Sequence, residues 1–176
     1  MLEKLQACTK CKLSETRRSV CIPSFSQPIK KGMIVTDCPT KKEDVSGSYT
    51  DAHWRIIDKV LSETNDSISN YYITSAIKCI PESNRYPNDN ELTNCSEYLI
   101  QEVALVQPKV ILVLSEQIAK VFMPQEKEIL VNKMYQSRFA KVVLVSHNIK
   151  SIREGTDKFN EFKMSVKKFV LFAGKE

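Results

Sequence analysis

Four short stretches of the chain are apolar at nearly every position and rich in β-branched residues. A continuous apolar run is typical of a strand buried on both faces of a parallel sheet. A strand with one solvent-exposed face instead alternates apolar and polar residues. The predicted strands cover residues 33–36, 71–74, 110–114 and 141–145.

Apolar residues recur at helical spacing between and after these strands. The predicted helices cover residues 51–63, 89–106, 115–122 and 156–172. Asn88 or Asp89 is the expected N-cap of the second helix. Residues 16–31 contain two prolines and a Lys-Lys pair, and they are predicted to form a loop. Strands that alternate with helices predict an α/β fold with a parallel sheet and helices on both faces.

Length and composition narrow the class of protein. A chain of 176 residues predicts a single domain covering residues 1–176. With 42% apolar and 27% charged residues, it can form a packed core, which argues against disorder. No run approaches the roughly 20 apolar residues of a membrane helix, and residues 1–5 lack the apolar core of a signal peptide. We therefore expect a soluble cytoplasmic protein.

The net charge bears on the possible partners of the protein, and the glycine content bears on the kind of active site it can form. The net charge of +5 is compatible with a polyanionic partner without requiring one. The chain has four glycines, whereas ordinary usage would give roughly twelve. An active site built from glycine-rich loops is therefore not expected.

Three polar residues follow predicted strands. Asp37 and Ser75 come directly after the first and second predicted strands, and His147 lies two residues after the fourth. Functional residues of open α/β sheets gather at the carboxyl ends of the strands, so these three are candidates. The alternatives are a surface carboxylate or helix cap for Asp37 and a structural histidine for His147.

Cysteine spacing suggests a metal centre. In an intracellular chain, six cysteines favour metal or reactive chemistry over disulfides. Cys8 and Cys11 form a C-x2-C pair, and Cys79 and Cys95 lie sixteen positions apart. A close pair with a wide pair suits an iron–sulfur cluster at least as well as zinc, and both stay open. Cys21 and Cys38 are interpreted as buried apolar cysteines.

Two sequence blocks resemble the iron–sulfur uracil-DNA glycosylases of family 4. One is residues 8–17, and the other is residues 72–79 followed by Cys95. The resemblance runs from Cys8 to about Gly155. It implies a three-layer α/β sandwich around a four-stranded parallel sheet. It also implies a [4Fe–4S] cluster, whose ligands would be Cys8, Cys11, Cys79 and Cys95.

The catalytic motifs of that family are altered in this chain. Asp37 stands in place of the water-activating glutamate, and the two glycines that flank this motif are missing. Tyr49 corresponds to the aromatic residue that stacks on a flipped base, and Ser75 to the asparagine that binds the uracil edge. His147 keeps the histidine of the last motif, which has lost its proline. The resemblance thus implies Asp37 and His147 as catalytic and Tyr49 and Ser75 as base-binding residues.

These changes argue against efficient uracil excision. An asparagine amide offers a donor and an acceptor in one plane, whereas a serine hydroxyl cannot make both contacts at the same reach. Asp37 is one methylene shorter than glutamate, and a misplacement of about 1 Å can cost on the order of a hundredfold in rate. A changed substrate, or binding without cleavage, is compatible with the same residues.

Four residues are candidates for DNA contact. Arg17, Lys150 and Arg153 are expected to bind backbone phosphates. Ile152 is either a wedge inserted into the base stack or a core residue.

Together, these observations predict a DNA-binding iron–sulfur protein of the uracil-DNA glycosylase superfamily. We expect a divergent glycosylase that excises a damaged base such as uracil from uracil-containing or single-stranded DNA, and that is monomeric by itself. The alternative is a catalytically inactive relative that serves as a DNA-binding or protein-interaction module in a replication or repair complex. A third possibility is a zinc-stabilised structural protein without a nucleic-acid role.

Overall fold

A five-stranded sheet forms the centre of the fold in the computed structural model, which describes residues 2–23 and 31–174. The strands are β1 (Gly32–Thr36), β2 (Tyr72–Ser75), β3 (Val110–Val113), β4 (Met134–Ser137) and β5 (Ala140–Val145). Their spatial order is β2-β1-β3-β5-β4, and every neighbouring pair is parallel except β4–β5. The four parallel strands are those predicted from the sequence, so the predicted fold class is confirmed.

The antiparallel edge strand β4 is an addition to the prediction. It forms a hairpin with β5, in which Ser137 pairs with Ala140. Its burial alternates, because Tyr135 is buried whereas Met134 and Gln136 are exposed. The strand therefore lacks the continuous apolar run by which the other four were recognised.

Helices cover both faces of the sheet. They are α1 (Leu2–Gln6), α2 (Leu13–Thr16), α3 (Lys41–Ser46), α4 (Ala52–Ser62), α5 (Asp89–Val106), α6 (Glu116–Phe122) and α7 (Asp157–Ala173). Three short 3-10 turns lie at Ile68–Asn70, Glu82–Asn84 and Ile149–Ser151. The predicted helices correspond to α4, α5, α6 and α7. Within residues 2–23 and 31–174, no helix is both long and apolar enough to cross a bilayer.

Helix α5 begins at a capping box. The Asn88 side chain accepts from the Glu91 amide, and the Glu91 carboxylate accepts from the Asn88 amide. Asn88 is thus the N-cap, of the two residues that the sequence suggested. In the predicted loop, residues 17–23 form neither helix nor strand, and residues 24–30 lie outside the described part of the chain.

The core has two halves, one on each face of the sheet. In β1, Met33 and Val35 pack into the cluster that contains the apolar faces of α5 and α6. Ile34 points the other way and packs with the apolar residues of α4 and α7. Side chains that alternate between two apolar layers explain why each parallel strand is apolar throughout.

A buried ion pair joins the end of β2 to helix α5. The Lys78 Nζ lies 2.8 and 2.9 Å from the two carboxylate oxygens of Glu102, and both side chains are 0% exposed. The same ammonium donates to Thr74 Oγ1 at 2.6 Å and to the Ser75 carbonyl at 2.7 Å. All three of its N–H groups therefore have partners, which is the condition under which a buried charge is tolerated.

We expect Lys78→Met to lower the free energy of unfolding by about 3–5 kcal/mol, because it leaves the Glu102 carboxylate buried without a cation. Urea unfolding followed by circular dichroism measures the change. The control is Lys59→Met, which removes an exposed ion pair to Glu154 and should have little effect. Equal losses in the two variants would contradict a special role for Lys78.

Candidate active site and cysteine cavity

The candidate active site lies at the carboxyl ends of β1, β2 and β5. Thr36 and Ser75 are register partners at the ends of β1 and β2. Beyond them, the Ile77 amide donates to the Asp37 carbonyl at 3.1 Å. Asn148, which follows β5, reaches the same place with its side chain. Asp37 and Ser75 therefore lie at the same edge of the sheet, as the strand-end rule predicts, and their function stays a prediction.

Asp37 is buried and has three hydrogen-bond donors around its carboxylate. It is 1% exposed. Its Oδ2 accepts from Asn148 Nδ2 at 3.2 Å and from Lys150 Nζ at 3.3 Å, and its Oδ1 accepts from Thr36 Oγ1 at 3.1 Å. The alternative of a solvated surface carboxylate is excluded by this environment.

Lys150 points into the site. Its Nζ lies 3.3 Å from Asp37 Oδ2 and 3.1 Å from Cys38 Sγ, and its side chain is 23% exposed. Burial acts to lower the pKa of Lys150, but Cys38 and Asp37 outweigh burial and leave that pKa above its usual value. The predicted contact between Lys150 and a phosphate stays a prediction, because the amine has protein partners here.

The two predicted base-binding residues contact each other. The Tyr49 hydroxyl lies 2.5 Å from Ser75 Oγ and accepts from the Ser75 amide at 3.1 Å. Ser75 Oγ in turn donates to the Ile77 carbonyl at 2.6 Å. A base edge that binds Ser75 therefore has to compete with bonds already made inside the protein.

His147 is held by helix α7. Its Nε2 contacts a carboxylate oxygen of Glu161. The contact directs the ring nitrogen toward α7, whereas Asp37 is contacted by the next residue, Asn148. The catalytic role of His147 stays a prediction.

Sequence reasoning missed two residues near Asp37. Asn148 stands where the family motif has proline, so only its position beside His147 pointed to it. His53 lies on α4, and its Nε2 is buried with no hydrogen-bond partner in the described part of the chain. That atom is 3.9 Å from Glu43 Oε1. Burial lowers the pKa of His53, although Glu43 opposes the shift, so the ring is neutral near pH 7.

The other predicted DNA contacts have different surroundings. Arg153 is exposed, as a phosphate-binding residue would be. Ile152 is 7% exposed and packs in the core half formed with α4 and α7, which is the alternative noted from the sequence. The Arg17 guanidinium donates to Cys79 Sγ at 3.2 Å and to the Cys8 carbonyl at 2.7 Å. Its inward contacts support the cysteine loop, and its phosphate contact stays a prediction.

Four cysteines from distant parts of the chain line one cavity. They come from the N-terminal loop, the end of β2 and helix α5, and they are Cys8, Cys11, Cys79 and Cys95. Cys21 and Cys38 are fully buried elsewhere, Cys21 among the core residues around α4 and Cys38 beside Lys150. The four cysteines therefore lie together, as their spacing suggests, and metal ligation by them stays a prediction.

The donor set of this cavity is four sulfurs and no histidine. Among residues 2–23 and 31–174, no three Cys, His, Asp or Glu side chains converge closely enough to hold a single metal ion. Zinc draws its thiolates to about 2.3 Å from one centre, whereas a four-iron cluster is a larger body that spaces its four thiolates further apart. An all-cysteine donor set fits an iron–sulfur cluster, and it also fits zinc.

Comparisons with known proteins identify similar sequences among the uracil-DNA glycosylases. The sequence model of the Uracil DNA glycosylase superfamily matches residues 23–169. A type-4 uracil-DNA glycosylase of Pyrobaculum aerophilum is 30% identical over 147 residues, which cover 80% of this chain and 74% of that protein. A type-4 uracil-DNA glycosylase of Sulfurisphaera tokodaii is 30% identical over 123 residues, 67% of this chain and 54% of that protein. The chain thus spans about half the length of the Sulfurisphaera protein.

Cys21 and Cys38 are expected to resist alkylation in the native protein. Burial is the main reason that the pKa of each thiol is raised to about 12, and only the thiolate reacts. Iodoacetamide labelling, read by mass spectrometry, should therefore accelerate about tenfold per pH unit up to at least pH 10 without a plateau. The same two cysteines in urea serve as the control, and a plateau near pH 9 in the native protein would contradict the expectation.

Proposed function

The chain belongs to the uracil-DNA glycosylase superfamily, and we propose that it is a DNA glycosylase that hydrolyses the N-glycosidic bond of a damaged base such as uracil. One observation carries the proposal: the Asp37 carboxylate is buried at the end of β1 and bound by the Asn148 amide that follows β5. These two residues come from the sequence motifs that correspond to the catalytic motifs of the family.

The geometry of Asp37 suits the activation of water. A carboxylate offers about four lone-pair positions, and Asn148, Lys150 and Thr36 use three of them. The fourth can accept a hydrogen bond from a water that attacks the sugar carbon C1′ of a flipped nucleotide. The proton of that water passes to Asp37 as the bond to the base breaks.

Uracil is the first substrate to test, because the relatives described above carry the name uracil-DNA glycosylase. Single-stranded or mismatched DNA is the expected context, since flipping costs least there. The bonds between Tyr49 and Ser75 favour slow excision, because the edge of the base must displace them.

The second part of the proposal is a [4Fe–4S] cluster bound by Cys8, Cys11, Cys79 and Cys95. When bound, the cluster supplies four covalent cross-links between the N-terminal loop, β2 and α5. The Arg17 guanidinium would then hold its hydrogen bond to Cys79 Sγ as a charge-assisted bond to a thiolate. The role is structural, since the cavity is lined by residues other than Asp37, Ser75 and Tyr49.

A second candidate function is a DNA-binding module without catalysis, in a replication or repair complex. It is favoured by the pairing of Asp37 with Lys150 and of Tyr49 with Ser75. In each pair, a group that would bind the substrate already makes a polar contact within the protein. The exposed Arg153 would contribute to phosphate binding in either case.

Asp37→Asn should reduce single-turnover excision of uracil from single-stranded DNA by about 10²–10⁴-fold, because the amide cannot take the proton of the water. DNA binding, measured by fluorescence anisotropy, should persist. Asp157→Asn, an exposed acid at the start of α7, is the matched control. Wild-type protein that binds but never excises would favour the non-catalytic module, and full activity of Asp37→Asn would remove the role of Asp37.

Cys95→Ser should abolish the visible absorption and the bound iron of anaerobically purified protein, and it should lower the thermal midpoint, because ligation energy is also folding energy. Cys21→Ala, a buried cysteine outside the cavity, is the control and should keep its iron. Colourless protein with one equivalent of zinc would overturn the cluster and leave the zinc alternative.

A further inference from the structure

We propose that Lys150 is a further catalytic residue, whose ammonium group stabilises the negative charge of the departing base. This inference rests on the proposed glycosylase function and names the group that supports the leaving group. The family motifs described above do not assign that task to the position of Lys150. The inference is carried by the donors, the charge and the surroundings of this side chain.

After two hydrogen bonds within the protein, the Lys150 ammonium group retains one unused N–H donor. An ammonium group has three N–H donors. One is directed at Asp37 Oδ2 and one at Cys38 Sγ. The remaining donor belongs to a side chain that is still 23% exposed, so it is accessible to a base that enters the site.

The Asp37 carboxylate keeps Lys150 positively charged, and two other groups that face Lys150 are neutral. Burial, together with Asp37, raises the pKa of the Cys38 thiol to about 12, so that Cys38 is neutral at physiological pH. His53 on α4 is neutral as well, because burial lowers its pKa. The carboxylate of Asp37 is the anion in contact with Lys150. Lys150 is accordingly a fixed cation, held in place by a buried carboxylate.

Lys150 is better placed than His147 to stabilise the leaving group. The resemblance implies His147 as a catalytic residue, but the His147 ring nitrogen contacts Glu161 on α7. That ring nitrogen is occupied by its contact with Glu161. Lys150 lies three residues further on, in the 3-10 turn Ile149–Ser151, and its amine is the one directed at Asp37.

In the chemical step, Lys150 acts on the departing base and Asp37 acts on the attacking water. The bond between C1′ and the ring nitrogen of the base breaks, and its electron pair leaves with the base. The free N–H of Lys150 donates to a carbonyl oxygen of that anion. The oxygen of water bonds to C1′, and its proton goes to Asp37. Donors fixed in advance at a developing oxyanion are worth about 10²–10³ in rate.

Comparison of two leaving groups tests the inference. The fluorine of 5-fluorouracil withdraws electrons, so this base leaves as a more stable anion and needs less help than uracil. Lys150→Met should lower the single-turnover excision of uracil by about 10²–10³-fold. The loss with 5-fluorouracil in the same strand should be smaller by at least about tenfold.

The ratio of the two rates is the deciding quantity. Partial unfolding, or a misplaced Asp37, lowers both rates by the same factor and leaves the ratio unchanged. Lys150→Arg keeps the cation and should restore a ratio close to that of the wild type. Lys167→Met removes an exposed lysine of α7 and should change neither rate.

The outcomes separate the inference from the function on which it rests. Equal losses with both bases overturn the role of Lys150, while the wild-type activity upholds the glycosylase. A wild-type protein that excises neither base overturns the glycosylase and the role of Lys150 together. A selective loss with uracil that Lys150→Arg repairs supports both.

Discussion

The buried ammonium of Lys78 connects the two sites of this protein. It binds the Ser75 carbonyl at the candidate active site, and it pairs with Glu102 on helix α5. Cys79 is the next residue along the chain, and Cys95 precedes Glu102 by about two helical turns, on the same face of α5. One desolvated charge therefore fixes where β2 ends relative to the helix that carries the last cysteine. The candidate active site and the cysteine cavity share this support, although they share none of the site residues discussed above.

The second ion pair, between Lys150 and Asp37, has a different character. Lys78 is fully enclosed and has used every donor, so it can only hold the structure together. Lys150 is partly exposed and keeps one donor for an outside group. A partly exposed pair with a spare donor can orient a charge for a ligand, whereas a fully enclosed pair fixes the backbone. The enclosed Lys78 thus stabilises the fold, whereas the partly exposed Lys150 is positioned to contact a ligand.

The sequence predicted the parallel strands, the long helices and the grouping of four cysteines, because each depends on a local pattern or on spacing. It did not predict where Lys150 and Arg17 point. The sequence predicts both as phosphate contacts, because they lie in the basic N-terminal loop and in the segment 150–153. Their partners in the structure, Asp37 and Cys79, lie 113 and 62 positions away along the chain. The sequence did not point to His53, because no local pattern indicates that its Nε2 becomes buried when α4 packs.

Asn148 binds two neighbours with the two ends of one amide. Its Nδ2 donates to Asp37, and its Oδ1 accepts from the Lys150 backbone amide at 2.9 Å. Aspartate at position 148 would set a carboxylate against a carboxylate, and glutamine would overreach by one methylene. Because the Asn148 side chain contacts both residues, the effects of substitutions at positions 37, 148 and 150 should not be independent. Among descendants of this chain, the three positions should therefore change together or stay fixed.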